Sequence, residues 1–152
     1  MIDIAPWRSR SDRLPYRSSR HTRGVDVEAL ARAALEEFNE GDADAFANRF
    51  ADDGELFPFR SATEGAYRGP EGVRAWMRET EELFEHSTAE IDEIDSRGDR
   101  LLVTGRLNLR GKESGATVEM PVFWVFRLTG EKIAYGRAYT NREEALADLA
   151  TS

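Results

Sequence analysis

Residues 100–140 read RLLVTGRLNLRGKESGATVEMPVFWVFRLTGEKIAYGRAYT. Three runs rich in β-branched and aromatic residues, 100–110, 116–128 and 131–140, are separated by turn formers at Gly111 to Gly115 and at Thr129-Gly130. A fourth run, 87–96, precedes them across Arg97-Gly98-Asp99. Turns this short join strands that lie antiparallel, so the second half of the chain reads as a meander. Within it, Met120-Pro121-Val122-Phe123-Trp124-Val125-Phe126 is apolar on both parities, so both faces of that strand need cover. Helices supply one face, and a second copy of the sheet is the economical cover for the other, which predicts a homodimer. Only one of Phe123 and Trp124 can point inward, and Pro121 demands an edge or a bulge.

Upstream, the period becomes helical. Val27, Leu30, Ala31, Ala34 and Phe38 fall on one stripe between a starting Asp26 and a stopping Gly41. Asp42 caps a second, short helix running through Phe46 and Phe50 to the turn Asp52-Asp53-Gly54. Glu55 to Arg60 is aromatic-rich, and Pro58 confines it to an edge or a bulge. Pro70 opens a helix that carries Val73, Trp76, Met77, Leu83 and Phe84 on one face and ends near His86. A last short helix, 142–149, opens with Asn141 and Glu144 in capping-box spacing. Helices first and strands after give an α+β fold, the sheet's inner face packed on the long helix.

The whole chain of 152 residues, 40% hydrophobic and without cysteine, suits one globular domain and excludes disulfides, thiolate metal sites and thiol catalysis. Residues 1–24 form a separate basic extension, expected to be disordered, and 25–152 the single domain. Six arginines against Asp3 and Asp12 give residues 1–23 a net charge of +4, leaving −12 on the remainder of a chain whose total is −8. An acidic body argues against nucleic acid as a partner. Arginine outnumbers lysine 19 to 2, a bias of GC-rich genomes in which an early start codon can add such a leader. No apolar run approaches a membrane span and no signal core opens the chain, so it reads as cytoplasmic.

Three local patterns, in this order, resemble one known group of proteins. They are Asn39-Glu40-Gly41-Asp42 with Phe50-Ala51-Asp52-Asp53; Tyr67-Arg68-Gly69-Pro70-Glu71-Gly72-Val73; and Trp124-Val125-Phe126-Arg127 with Gly130-Glu131-Lys132-Ile133 and Tyr139-Thr140-Asn141-Arg142. The group is the nuclear transport factor 2-like superfamily, in its ketosteroid isomerase-like and SnoaL-like polyketide cyclase branch. The resemblance implies a cone, in which a curved antiparallel sheet wraps a long N-terminal helix, with an apolar pocket at the open end and a dimer through the sheet. It also implies cofactor-free isomerase, cyclase or dehydratase chemistry. Ketosteroid isomerase uses a carboxylate base, a tyrosine and a protonated aspartate. The matching positions here hold Pro58, Ala34 and Trp124, and Val122 stands where many relatives have histidine. Steroid isomerisation by that mechanism is therefore not expected.

Candidate groups for the pocket are Phe57, Phe59, Tyr67, Trp76, Met120, Val122, Trp124, Tyr135 and Tyr139, a lining suited to a small hydrophobic ligand. Glu55 and Glu119 are candidate acid/base residues, with Tyr139 as a hydrogen-bond donor. Arg60, Arg106 and Arg137 are candidates to clamp an oxyanion, Arg137 being placed with the ligand-binding set. His21 and His86 do not make a metal site, and no cofactor motif occurs. The rival expectation is a non-catalytic, dimeric interaction or regulatory module with a filled cone; cavity volume separates the two.

Overall fold

A computed structural model describes residues 26–58 and 66–151; the basic N-terminal extension, Phe59 and Arg60 lie outside them. Helix α1, Val27–Glu40, begins where the Asp26 side chain accepts from Ala29 N and ends at Gly41. Its stripe Val27, Leu30, Ala31 and Ala34 is buried, as the spacing predicts. Asp42 caps α2, Ala43–Ala47, by the same kind of bond to Ala45 N. Strand β1 is Phe50–Phe57 and β2 is the two-residue Tyr67–Arg68. Helix α3, Gly69–Leu83, has Pro70 in its first turn. Strands β3, Phe84–Arg97, β4, Arg100–Gly111, β5, Thr117–Thr129, and β6, Lys132–Tyr139, follow, and α4, Arg142–Ala150, closes the described chain.

The six strands form one sheet in the order β2-β1-β6-β5-β4-β3. β3 to β6 are the antiparallel meander expected, whereas β1 runs parallel to β6, so the sheet is mixed rather than wholly antiparallel. The main core lies between the helices and the inner face, where Leu101, Val103, Phe126 and Ile133 meet α1, α2 and α3. Gly105 marks a bend, since a Cβ there would stand 2.0 Å from the Glu90 carbonyl oxygen at the register shift between Ile91 and Glu93.

Four local expectations change. Phe50 opens β1 instead of closing a helix, and Asp52-Asp53-Gly54 is no turn. Between the pairs Phe50↔Ile133 and Glu55↔Tyr135 the register slips, so these turn formers make a bulge inside the strand. Gly54 sits where a Cβ would come within 2.6 Å of the Ile133 carbonyl oxygen. Pro58 follows the last residue of β1 rather than lying within a strand. The third helix stops at Leu83, which is 50% exposed, and Phe84 already belongs to β3.

Pro121 is explained by the ladder. Pairing of β5 with β6 begins at Phe123↔Tyr139, so Pro121 has a neighbour only on the β4 side. Farther along β5 the outer parity is covered from within the chain, where Val125, fully buried, packs with Leu102 on Ala145 and Leu149 of α4. At Val125, then, α4 supplies the cover that the sequence reading assigned to a second copy. Beyond α4 the outer face carries ions, Arg106 reaching Glu90, Asp92 and Glu119.

Candidate functional site

Between the helices and the inner face of the sheet lies a cavity of about 560 Å³. The helical wall is Leu35 and Phe38 of α1, Phe46 of α2, and Trp76 and Thr80 of α3, joined by Phe84 at the start of β3. The sheet wall is Leu107 and Leu109 of β4, Met120, Trp124 and Phe126 of β5, and Ala138 of β6. Trp124 and Ala138 are register partners, which fixes both on the inner parity and sends Phe123 outward. Phe38 stacks on Trp76 with centroids 5.6 Å apart and planes inclined by 15°, while Phe46 lies tilted 6.4 Å from the same indole. The indole N–H of Trp76 is buried and has no hydrogen-bond partner. The Thr80 hydroxyl is committed to the Trp76 carbonyl, 2.8 Å away.

Residues where strand gives way to loop or helix complete the rim: Leu56 and Pro58 at the end of β1, Arg137, Tyr139 and Thr140 at the end of β6, and Glu144 in the first turn of α4. The Asn141 side chain accepts from Glu144 N at 3.0 Å, one half of a capping box. The exposed Glu144 carboxylate makes no hydrogen bond or ion pair with the described residues. Glu144 is the one carboxylate among the described residues of the lining.

The sequence-derived candidates divide between the two faces of the sheet. Trp76, Met120 and Trp124 line the cavity, as does Pro58, at the position matched to the isomerase base. Val122 is fully exhausted in packing, with Ala89, Leu107, Met120, Trp124 and Ala138 around it, and Ala34 is likewise core. Tyr67 packs against the main core and donates from its hydroxyl to Glu79 at 2.7 Å.

Phe57, Tyr135, Arg137 and Tyr139 gather on the opposite face. The Arg137 guanidinium lies 4.7 Å from the Phe57 ring centre and 5.7 Å from that of Tyr139, so although Arg137 and Tyr139 border the cavity, their side-chain contacts are on the outer side. There Asp148 of α4 accepts from Tyr135 at 2.5 Å and Tyr139 at 2.7 Å on one carboxylate oxygen, and from Arg127 at 3.0 Å on the other. Burial first, and then the bond to Asp148, hold both phenols above the ordinary tyrosine range. A phenol fixed this way donates to Asp148, which corrects the expectation that Tyr139 offers its proton to the cavity.

The two expected acids also lie elsewhere. Glu55 accepts from Arg68 of the neighbouring strand at 2.7 Å, and Glu119 lies on the outer parity beside Arg106, 3.6 Å away; neither lines the cavity. Arg106 is spent in the same ionic cluster. Strand parity decides all three, and parity follows from register, which a bulge such as that in β1 resets. Glu144 was visible in sequence only as a capping residue; its place at the rim depends on how α4 folds back over the end of β6.

A family model described as SnoaL-like domain matches residues 31–136. Among solved structures, a hypothetical protein of ketosteroid isomerase-like fold from Catenulispora acidiphila, in complex with trimethylamine, is 19% identical with a TM-score of 0.67, covering 81% of this chain and 93% of its own. A nuclear transport factor 2-like protein from Burkholderia pseudomallei is 16% identical with a TM-score of 0.69, covering 82% and 97%. TerC, co-crystallised with polyporic acid, is 15% identical with a TM-score of 0.67, covering 80% and 95%. Likeness at this level of identity establishes the cone-type fold. No curated protein matches the chain.

Proposed function

The chain belongs to the SnoaL-like domain family, and from that premise we propose that it binds a small, ring-bearing apolar molecule in the cavity between the helices and the inner face of the sheet. The observation that carries this reading is the cavity itself, about 560 Å³ walled by Phe38, Phe46, Trp76, Trp124 and Phe126. Burying a ligand against such walls removes apolar surface from water on both sides, and the aromatic faces add contacts specific for rings. A volume of this size favours ligand binding over the rival reading of a cone closed by its own side chains. Crystals of proteins with this fold holding trimethylamine and polyporic acid support small-molecule occupancy.

Among the described residues, catalysis in this cavity would have one carboxylate within reach, Glu144, in place of Glu55 and Glu119. The binding reading needs none. Its test is a fluorescence titration with N-phenyl-1-naphthylamine, a neutral arylamine whose emission rises in apolar surroundings. Saturable enhancement is expected for the wild type and its loss for Ala138→Phe and for Ser87→Phe, Ser87 of β3 also lining the cavity, so that each substitution places a ring in it. Ultraviolet circular dichroism checks that each variant is folded. Unchanged binding in both folded variants overturns the proposal.

A further inference from the structure

We infer that the cavity selects protonated hydrophobic amines, with the carboxylate of Glu144 as their counter-ion. This rests on the cavity being a ligand site, and narrows the ligand to a charge class.

Three observations converge. The first is a carboxylate with nothing to pair with: Glu144 borders the cavity, and no described residue donates to it or pairs with it. The second concerns the basic side chains. Arg137 is the one such residue among the described residues of the lining, and its guanidinium is turned to the Phe57 and Tyr139 rings on the sheet's other face. The hydroxyl of Tyr139 is committed to Asp148, so no charged or strongly acidic donor is offered to an anionic ligand from that side. The third is the field, for the chain beyond residue 23 carries −12, which raises the local concentration of cations and lowers that of anions.

The walls fit the same class. Trp76, Trp124, Phe38, Phe46 and Phe126 present the electron-rich ring systems on which an ammonium rests favourably and on which its hydrocarbon body packs. A ligand carboxylate would meet the same rings and the Glu144 charge without compensation, so acids are disfavoured on both counts. A neutral ring-bearing molecule keeps the apolar contacts and forgoes the ion pair. The order of affinity for molecules of one shape is therefore amine, then alcohol, then acid.

The experiment is calorimetric titration of the full chain at pH 7 with 1-naphthylmethylamine, 1-naphthylmethanol and 1-naphthoic acid. Near-equal size makes charge the variable. The amine is expected to bind about fivefold more tightly than the alcohol, the scale of one solvent-accessible ion pair, and the acid least. Glu144→Gln, which keeps the shape and the helix start, is expected to bring amine and alcohol level. Equal binding of amine and alcohol by the wild type overturns the charge selectivity and leaves the apolar site standing. A preference that survives Glu144→Gln overturns the role of that carboxylate. Failure of all three compounds to bind overturns the site together with its selectivity.

Discussion

Asp148, not one of the acids singled out by the sequence, gathers two phenols on one oxygen and a guanidinium on the other. Its side chain is only 9% exposed, so an unpaired charge there would be costly. Asp148→Asn is expected to lower unfolding stability by about 1–3 kcal/mol, more than Tyr135→Phe or Tyr139→Phe alone, by chemical denaturation. The phenols add a pH dependence. Because the fold holds their protonated form, their stabilisation is complete below the unfolded-state value of about pH 10 and is lost as the pH rises past it. The thermal midpoint should fall across that range, and less steeply in the Tyr135→Phe/Tyr139→Phe double variant; parallel curves for the two proteins would contradict the assignment. At this scale residue type was legible and direction was not. Glu55, Glu119 and Tyr139 are chemically able to act as acids or bases, but parity, a property of paired strands, turns them away from the cavity.

At the scale of elements the local signals were stronger. Asp26, Asp42 and Asn141 each start a helix with a side-chain bond to the backbone three residues on, as their types predict. The same kind of signal misled at Asp52-Asp53-Gly54, because a bulge calls for the same residues as a turn. Asn39 shows what the sequence pattern held without saying. Its amide donates to the Ala89 carbonyl at 2.9 Å and accepts from Ala89 N at 2.7 Å, pairing α1 with the edge strand β3 as another strand would. Asn39→Ala should therefore cost about 1–2 kcal/mol and raise amide exchange at Ala89. Helix α4 is tied in by packing instead, and Leu149→Ala should cost about 3 kcal/mol by opening a void beneath Val125. Because that void lies across the sheet from the cavity, probe binding should stay unchanged in the variant as long as it is folded.

Across the whole molecule, the order of helices and strands was enough to give the α+β class and the family resemblance implied the cone, but the parallel pairing of β1 with β6 was in neither, since the two are distant in sequence. The sheet carries different chemistry on its two faces: aromatic and aliphatic toward the helices, with α4 and an ionic cluster on the far side. An apolar ligand should therefore be found on one face only. The three tryptophans provide the direct test, since Trp76 and Trp124 line the cavity and Trp7 lies in the basic N-terminal extension. In a two-dimensional proton–nitrogen NMR titration with N-phenyl-1-naphthylamine, the indole N–H signals of Trp76 and Trp124, assigned from Trp→Phe variants, should move together and saturate while that of Trp7 stays still. Binding that leaves both cavity indoles unmoved, or that shifts Trp7 alone, would contradict the account.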